Sequence, residues 1–154
     1  MIQRIQTIYL FISLILISLI FWFPLSELFV DGNFQYLFLY RGIYDTTGEF
    51  DILAISSIPL ATLFTIILTL NLVSIFLYKN RLLQMRISIL NIILMIGSFG
   101  LMYFYVWLAE TELNAVPQYS ILPILPIISA ILTFIAFKAI NKDQKLVKSL
   151  DRIR

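Results

Sequence analysis

The chain is predicted to be an all-α membrane protein: a four-transmembrane-helix bundle with both termini cytoplasmic, a short β-hairpin-like segment in the first outer loop, and an amphipathic C-terminal tail. Three observations predict it. Hydrophobic residues fill 60% of 154 positions and charged residues 13%, with a mean hydropathy of +0.94, too apolar for a soluble domain of this length. Uncharged runs long enough to cross a hydrocarbon core of about 30 Å recur along the chain. The basic residues are sorted to alternate connections between those runs.

The first helix is placed at residues 5–23, behind a lone Arg4. A secretory signal shares that start, but its apolar region is about 7–15 residues and ends at small residues. Here the run closes on Phe21-Trp22-Phe23-Pro24, so it is read as a retained span with Trp22 at the far interface and Pro24 ending the helix. Residues 25–51 form the outer loop. Phe34, Tyr36, Phe38 and Tyr40 alternate onto one face between the turn signals Asp31-Gly32-Asn33 and Asp45-Thr46-Thr47-Gly48, which predicts a hairpin or two-strand ribbon over the mouth of the bundle. Two strands alone are marginally stable, so the aromatic face must cap helix ends, headgroups or a partner.

The second helix is placed at residues 52–78, bent at Pro59. Its Thr62, Thr65 and Thr69 share one face, expected to pack against other helices, with Asn71 off that line. The basic elbow Tyr78-Lys79-Asn80-Arg81-Leu82-Leu83-Gln84-Met85-Arg86 turns the chain back into a third helix at residues 87–109. Gly97, Ser98 and Gly100 in its middle permit close helix approach, and Tyr103, Tyr105 and Trp107 mark its outer interface. Across so short an elbow, Asn71 and Asn91 fall at comparable depths, and an interhelical clamp between them is expected. The fourth helix is placed at residues 121–140, with a bend near Pro123 and Pro126; with Pro59 this predicts a shallow outer-half cavity beneath the ribbon, between helices two and four. The tail, residues 141–154, sets Lys142, Lys145, Lys148, Arg152 and Arg154 among apolar residues at helix spacing, a surface for an anionic leaflet or an acidic partner helix.

Orientation follows from the Lys/Arg bias of short loops. Arg4, the elbow and the tail from Lys138 onward hold every basic residue but Arg41, which places both termini in the cytoplasm; Glu27, Asp31, Asp45, Glu49, Asp51, Glu110 and Glu112 all fall outside. With no Cys and no His, disulfide and thiol chemistry and the commonest metal ligand are excluded. A net charge of +2 gives no nucleic-acid signature. No Lys, Arg, Asp or Glu falls inside a predicted span, which argues against an ion-coupled transporter.

Met1-Ile2-Gln3-Arg4-Ile5-Gln6-Thr7, the elbow with Asn91, and Lys142-Asp143-Gln144-Lys145-Leu146-Val147-Lys148-Ser149-Leu150-Asp151-Arg152-Ile153-Arg154 together resemble a family of small four-helix membrane proteins of Bacteroidota. The resemblance covers the whole length and implies a bacterial cytoplasmic (inner) membrane location, with no established activity to carry over. The layout is also similar in topology to claudin-type proteins, without the Trp and paired Cys of their first outer loop.

Three functions are weighed. The first is a non-enzymatic accessory or assembly subunit that binds another integral membrane protein through the third helix, the ribbon or the tail. The second is a handler of lipid or a small hydrophobic ligand in the outer cavity. The third is an enzyme acting at the outer interface through Asp31, Asp45, Glu49, Asp51, Glu110 or Glu112, since paired carboxylates do acid–base work or hold metals; no spacing among these matches a ligand pattern. The first is favoured, with membrane lipids and a membrane protein as partners, no cofactor and no nucleic acid.

Overall fold

The structure, a computed structural model, describes residues 2–48 and 50–151. Among them are four α-helices, α1 (Ile2–Leu19), α2 (Ile58–Phe76), α3 (Arg81–Leu113) and α4 (Leu125–Asp151), and five strands, β1 (Ser26–Val30), β2 (Asn33–Leu39), β3 (Gly42–Asp45), β4 (Ile52–Ser56) and β5 (Val116–Tyr119). The molecule is therefore mostly helical, with a sheet larger than a hairpin. Three segments, Ile58–Phe76, Arg81–Leu113 and Leu122–Gln144, are long and apolar enough to cross a membrane, which gives a membrane protein; the apolar stretch of the first helix, Ile5–Leu19, is shorter. Beyond Leu19 the first helix tightens into i→i+3 turns, Ile20 N–H on Ile17 O and Trp22 N–H on Leu19 O, carrying the chain to Trp22.

Prolines begin these helices instead of bending them. The helix predicted over residues 52–78 starts at Ile58, and Pro59 lies in its first turn, where a missing N–H removes no bond and the fixed φ suits the helix. Residues 52–56 are strand, matching the β-branched Ile52 and Ile55. Pro123 likewise sits in a single 3₁₀ turn, Leu122–Ile124, and Pro126 is the second residue of α4. The third helix is longer than predicted, 33 residues, and ends at Asn114 in the left-handed conformation that Asn tolerates.

The helices pack α1 on α4, α4 on α3, α3 on α2 and α2 on α1. Buried positions recur at alternating steps of four and three: 6, 10, 13, 17 and 20 on α1 and just beyond it; 60, 64, 67, 71 and 74 on α2; 84, 88, 91, 95, 98, 102, 105 and 109 on α3; 126, 129, 133, 136, 140 and 143 on α4. That is the heptad seam of a left-handed bundle, in which side chains of one helix fill the spaces of the next. The predicted tail is the continuation of α4 as far as Asp151, not a separate surface helix.

All strand pairs are antiparallel, in the order β4-β3-β2-β1-β5. Asp31 and Gly32, both at positive φ, make the two-residue turn between β1 and β2. Gly42 begins β3 where a Cβ would stand 2.8 Å from the Ile55 carbonyl oxygen, so the β3–β4 approach requires glycine. The fifth strand comes from the connection between α3 and α4. Its Pro117, opposite Leu28, is tolerated because β5 is an edge strand. Ser26 Oγ donates to Gln118 O at 2.9 Å, tying the α1–α2 and α3–α4 connections together. Leu25, Leu28, Phe38 and Ile43 of the outer segment join Leu60, Phe64, Met102, Tyr105 and Ala109 of the helices in one core.

Candidate functional site

Two regions of the fold carry chemistry beyond simple packing. The first is the seam of the bundle from its middle to the end where α1 and α3 begin. There the heptad positions turn polar: Gln6 and Ser13, Asn71 and Ser74, Gln84, Ser88 and Asn91, Ser129 and Thr133, and Asp143. Ser13 Oγ is the junction. It accepts a hydrogen bond from Asn71 Nδ2 at 3.0 Å, lies 3.1 Å from Thr133 Oγ1 and faces the Ser129 carbonyl at 3.3 Å. One turn toward the elbow, Ser74 and Ser88 hydroxyls stand 3.4 Å apart, and Gln84 Nε2 donates to Ser74 O at 2.9 Å. At the end of the bundle, Gln6 Nε2 donates to Asp143 Oδ2 at 3.0 Å, with Asp143 only 8% exposed.

This arrangement corrects the expected clamp. Asn71 and Asn91 are both buried, but they are not hydrogen-bonded to one another; Asn71 reaches across to α1 instead. The Asn71 Oδ1 and both polar atoms of the Asn91 amide have no partner. Since Ser74 faces Ser88, stepping three residues back on α2 and three on along antiparallel α3 brings 71 and 91 to one level. The orphan atoms therefore gather at one depth, in a region where unpaired amides are costly. The threonine face is also corrected. Thr62, Thr65 and Thr69 are exposed, and each hydroxyl donates to its own helix, at Pro59 O, Ala61 O and Thr65 O.

The second region is the end of the bundle that carries the sheet. Tyr36, Phe38 and Tyr40 turn onto the helix ends as the alternation predicts, with Phe38 6.3 Å from Tyr105 and Tyr40 4.8 Å from Phe21, ring to ring. Phe34 departs from that face: it is exposed and meets Phe29 edge-on. Beneath the sheet lies an apolar cavity of about 210 Å³ walled by Phe38, Phe99, Met102, Tyr103, Pro123 and Ile124. It opens between α3 and the lead-in to α4, not between α2 and α4, because Pro59, Pro123 and Pro126 all sit at helix starts and none bends a helix.

Of the tail residues, Lys142 is exposed on α4; of Lys145 and Lys148 only the helical backbone is described, and Arg152 and Arg154 lie outside the described residues, as does Glu49. Among the described residues, no three of His, Cys, Asp and Glu come close enough to share a metal ion. Asp45 caps its own turn: the Thr47 hydroxyl at 2.6 Å and the Thr47 N–H at 2.9 Å hold its carboxyl below the usual carboxylate range. Ser13, Ser129, Thr133 and the Gln6–Asp143 pair have no counterpart in the sequence reading. Polar residues recur at steps of four and three along these helices, but the exposed Thr62, Thr65 and Thr69 share that spacing, so it does not by itself pick the inward ones.

Residues 2–153 match the family model described as Domain of unknown function (DUF4293), and the chain belongs to that family. No curated protein and no solved structure matches it.

Proposed function

We propose that this member of the family is a four-span protein of the bacterial cytoplasmic (inner) membrane, both termini in the cytoplasm, that serves without catalysis of its own as an accessory or assembly subunit of a membrane complex. The reading is carried by the outward face of α3. Ser98 turns into the seam, whereas Gly97 and Gly100 face away from it with nothing within 4 Å of where a Cβ would stand. Exposed Ile93, Ile96, Tyr103 and Trp107 continue the same side. In lipid, helices associate where small residues let backbones approach, so two open glycines amid bulky neighbours fit a partner helix. The four-span placement rests on the antiparallel helices, which bring Arg81, Arg86 and Lys142 to one end of the bundle and leave Arg41 at the other.

The test is gentle extraction of the natively expressed protein, with crosslinking and native mass spectrometry of whatever travels with it. A stoichiometric membrane protein is expected, lost on Gly97→Leu and Gly100→Leu substitution while the melting temperature holds. Purification alone, under conditions that preserve other complexes, would remove the reading. The alternative, a lipid or small hydrophobic ligand held in the outer leaflet, is favoured by the apolar cavity under the sheet. It predicts a bound lipid displaced by Met102→Trp and indifferent to the two glycine substitutions.

A further inference from the structure

The opposite end of the bundle holds a larger cavity, about 520 Å³, between the start of α1 and the elbow joining α2 to α3. Its wall combines three kinds of group. Arg81, the first residue of α3, presents a half-buried guanidinium that makes no ion pair or hydrogen bond with a described residue. Gln6 and Gln84, 6% and 4% exposed, contribute amides; each has one Nε2 hydrogen bond, to Asp143 Oδ2 and to Ser74 O, which leaves a second N–H on each. Ile8 and Phe11, one turn apart on α1 and each 54% exposed, lead from the cavity along the outside of the bundle.

These groups select a ligand class. A free guanidinium, amide donors and the N-terminus of a 33-residue helix, with its positive dipole end and unpaired first N–H groups, all favour an oxyanion. The acid nearest in this network, Asp143, is engaged by Gln6 and is not part of the wall. An apolar track beside an anion site fits a molecule with both a phosphate and a hydrocarbon chain. We propose that this cavity binds the phosphate headgroup of an anionic membrane lipid from the leaflet at the elbow end, with an acyl chain along Ile8 and Phe11. Basic pockets between helices at the cytoplasmic side are suited to such headgroups. The proposal takes from the reading above only that the helices span a membrane, and it is independent of any protein partner.

The full-length protein in neutral detergent is given dioleoylphosphatidylglycerol, dioleoylphosphatidylcholine or sodium phosphate, and is followed by native mass spectrometry and melting temperature. Phosphatidylglycerol is expected to stay bound as a single molecule and to raise the melting temperature, phosphatidylcholine to leave readily, and sodium phosphate to do neither. Arg81→Gln is expected to weaken retention roughly fivefold, the effect of one basic residue near an anionic surface, and Lys142→Gln, exposed at the same end, to leave it unchanged. Phe11→Ala, on the exposed face and so harmless to the fold, is expected to shorten retention of the long-chain lipid. Equal losses from Arg81→Gln and Lys142→Gln, or no retention by the unaltered protein, would overturn the site. Displacement by sodium phosphate would replace the lipid with a free phosphate ion. Solubility of the chain without detergent would instead defeat the membrane placement, and would do so whatever binds.

Discussion

Where α2, α3 and the sheet meet, the seam is Leu60, Phe64, Met102 and Tyr105 against Phe38; further along the same helices it is Asn71, Ser74, Ser88 and Asn91. The two stretches occupy equivalent heptad positions but differ in chemistry. At the sheet, Phe38 and Ile43 are buried against the helix ends, and such burial is favourable where it removes apolar area from water. Further along, the helices are long and apolar enough to cross a membrane, and in lipid apolar contacts discriminate little between one helix register and another. Hydroxyl and amide groups that must find partners do discriminate. The sheet end is thus stabilised by area, and the half of the bundle away from the sheet is specified by hydrogen bonds.

Substitutions break that contrast at known points. The largest effect is expected from Phe38→Ala, 1% exposed at the centre of the sheet–helix contact: a loss of about 3 kcal/mol, typical of an emptied aromatic site, read as a fall in melting temperature in detergent. Ser13→Ala should cost about 1 kcal/mol, since it leaves Asn71 Nδ2 without its acceptor; a loss as large as that of Phe38→Ala would mean the half away from the sheet is held by more than these bonds. Asn91→Leu sharpens the comparison because its sign differs. Both amide atoms already lack partners, so the variant should melt at the same temperature or show a gain of up to about 1 kcal/mol. A clear loss would show that the Asn71–Asn91 level holds a bridging water.

The smallest effect belongs to the outer turn at Asp45. Its folded carboxyl titrates below the unfolded value through the Thr47 hydroxyl and then the Thr47 N–H. The stabilisation is fully present above the ordinary carboxylate range, near about pH 4, and is lost as pH falls through the lowered folded value. Asp45→Asn should flatten that part of the melting-temperature profile, lowering the melting temperature slightly at neutral pH and leaving it almost unchanged in acid, where the carboxyl is already protonated.

How far the site could be read in advance differs residue by residue. Asn71 and Asn91 were identifiable as buried because amides in hydrocarbon need partners, but the partner of Asn71 came from α1, whose distance along the chain carries no spacing signal. Thr62, Thr65 and Thr69 recur at steps of three and four just as Phe64, Ile67 and Asn71 do. In water the apolar stripe would be the inner one; in lipid both sides of α2 are apolar and periodicity does not choose between them. The outer sheet was half legible. Asp31-Gly32 marked its first turn through the positive φ that glycine accepts, while β4 was hidden inside an uncharged run continuous with a helix and β5 in a proline-rich lead-in.

The sequence by itself determined that this is a membrane protein, through apolar runs of the length a bilayer requires and basic residues gathered at one end of them. It did not determine the helix starts: in the sequence Pro59 and Pro126 read as bends inside longer helices, and only the structure puts them in first turns. Only the tertiary structure decided which stripe of each helix faces the seam, that Ser13 joins α1, α2 and α4, and that the α1–α2 and α3–α4 connections share one sheet. The reason is the same in each case: those choices depend on pairing between segments far apart in the chain, where a partner's position, not local preference, sets the energy.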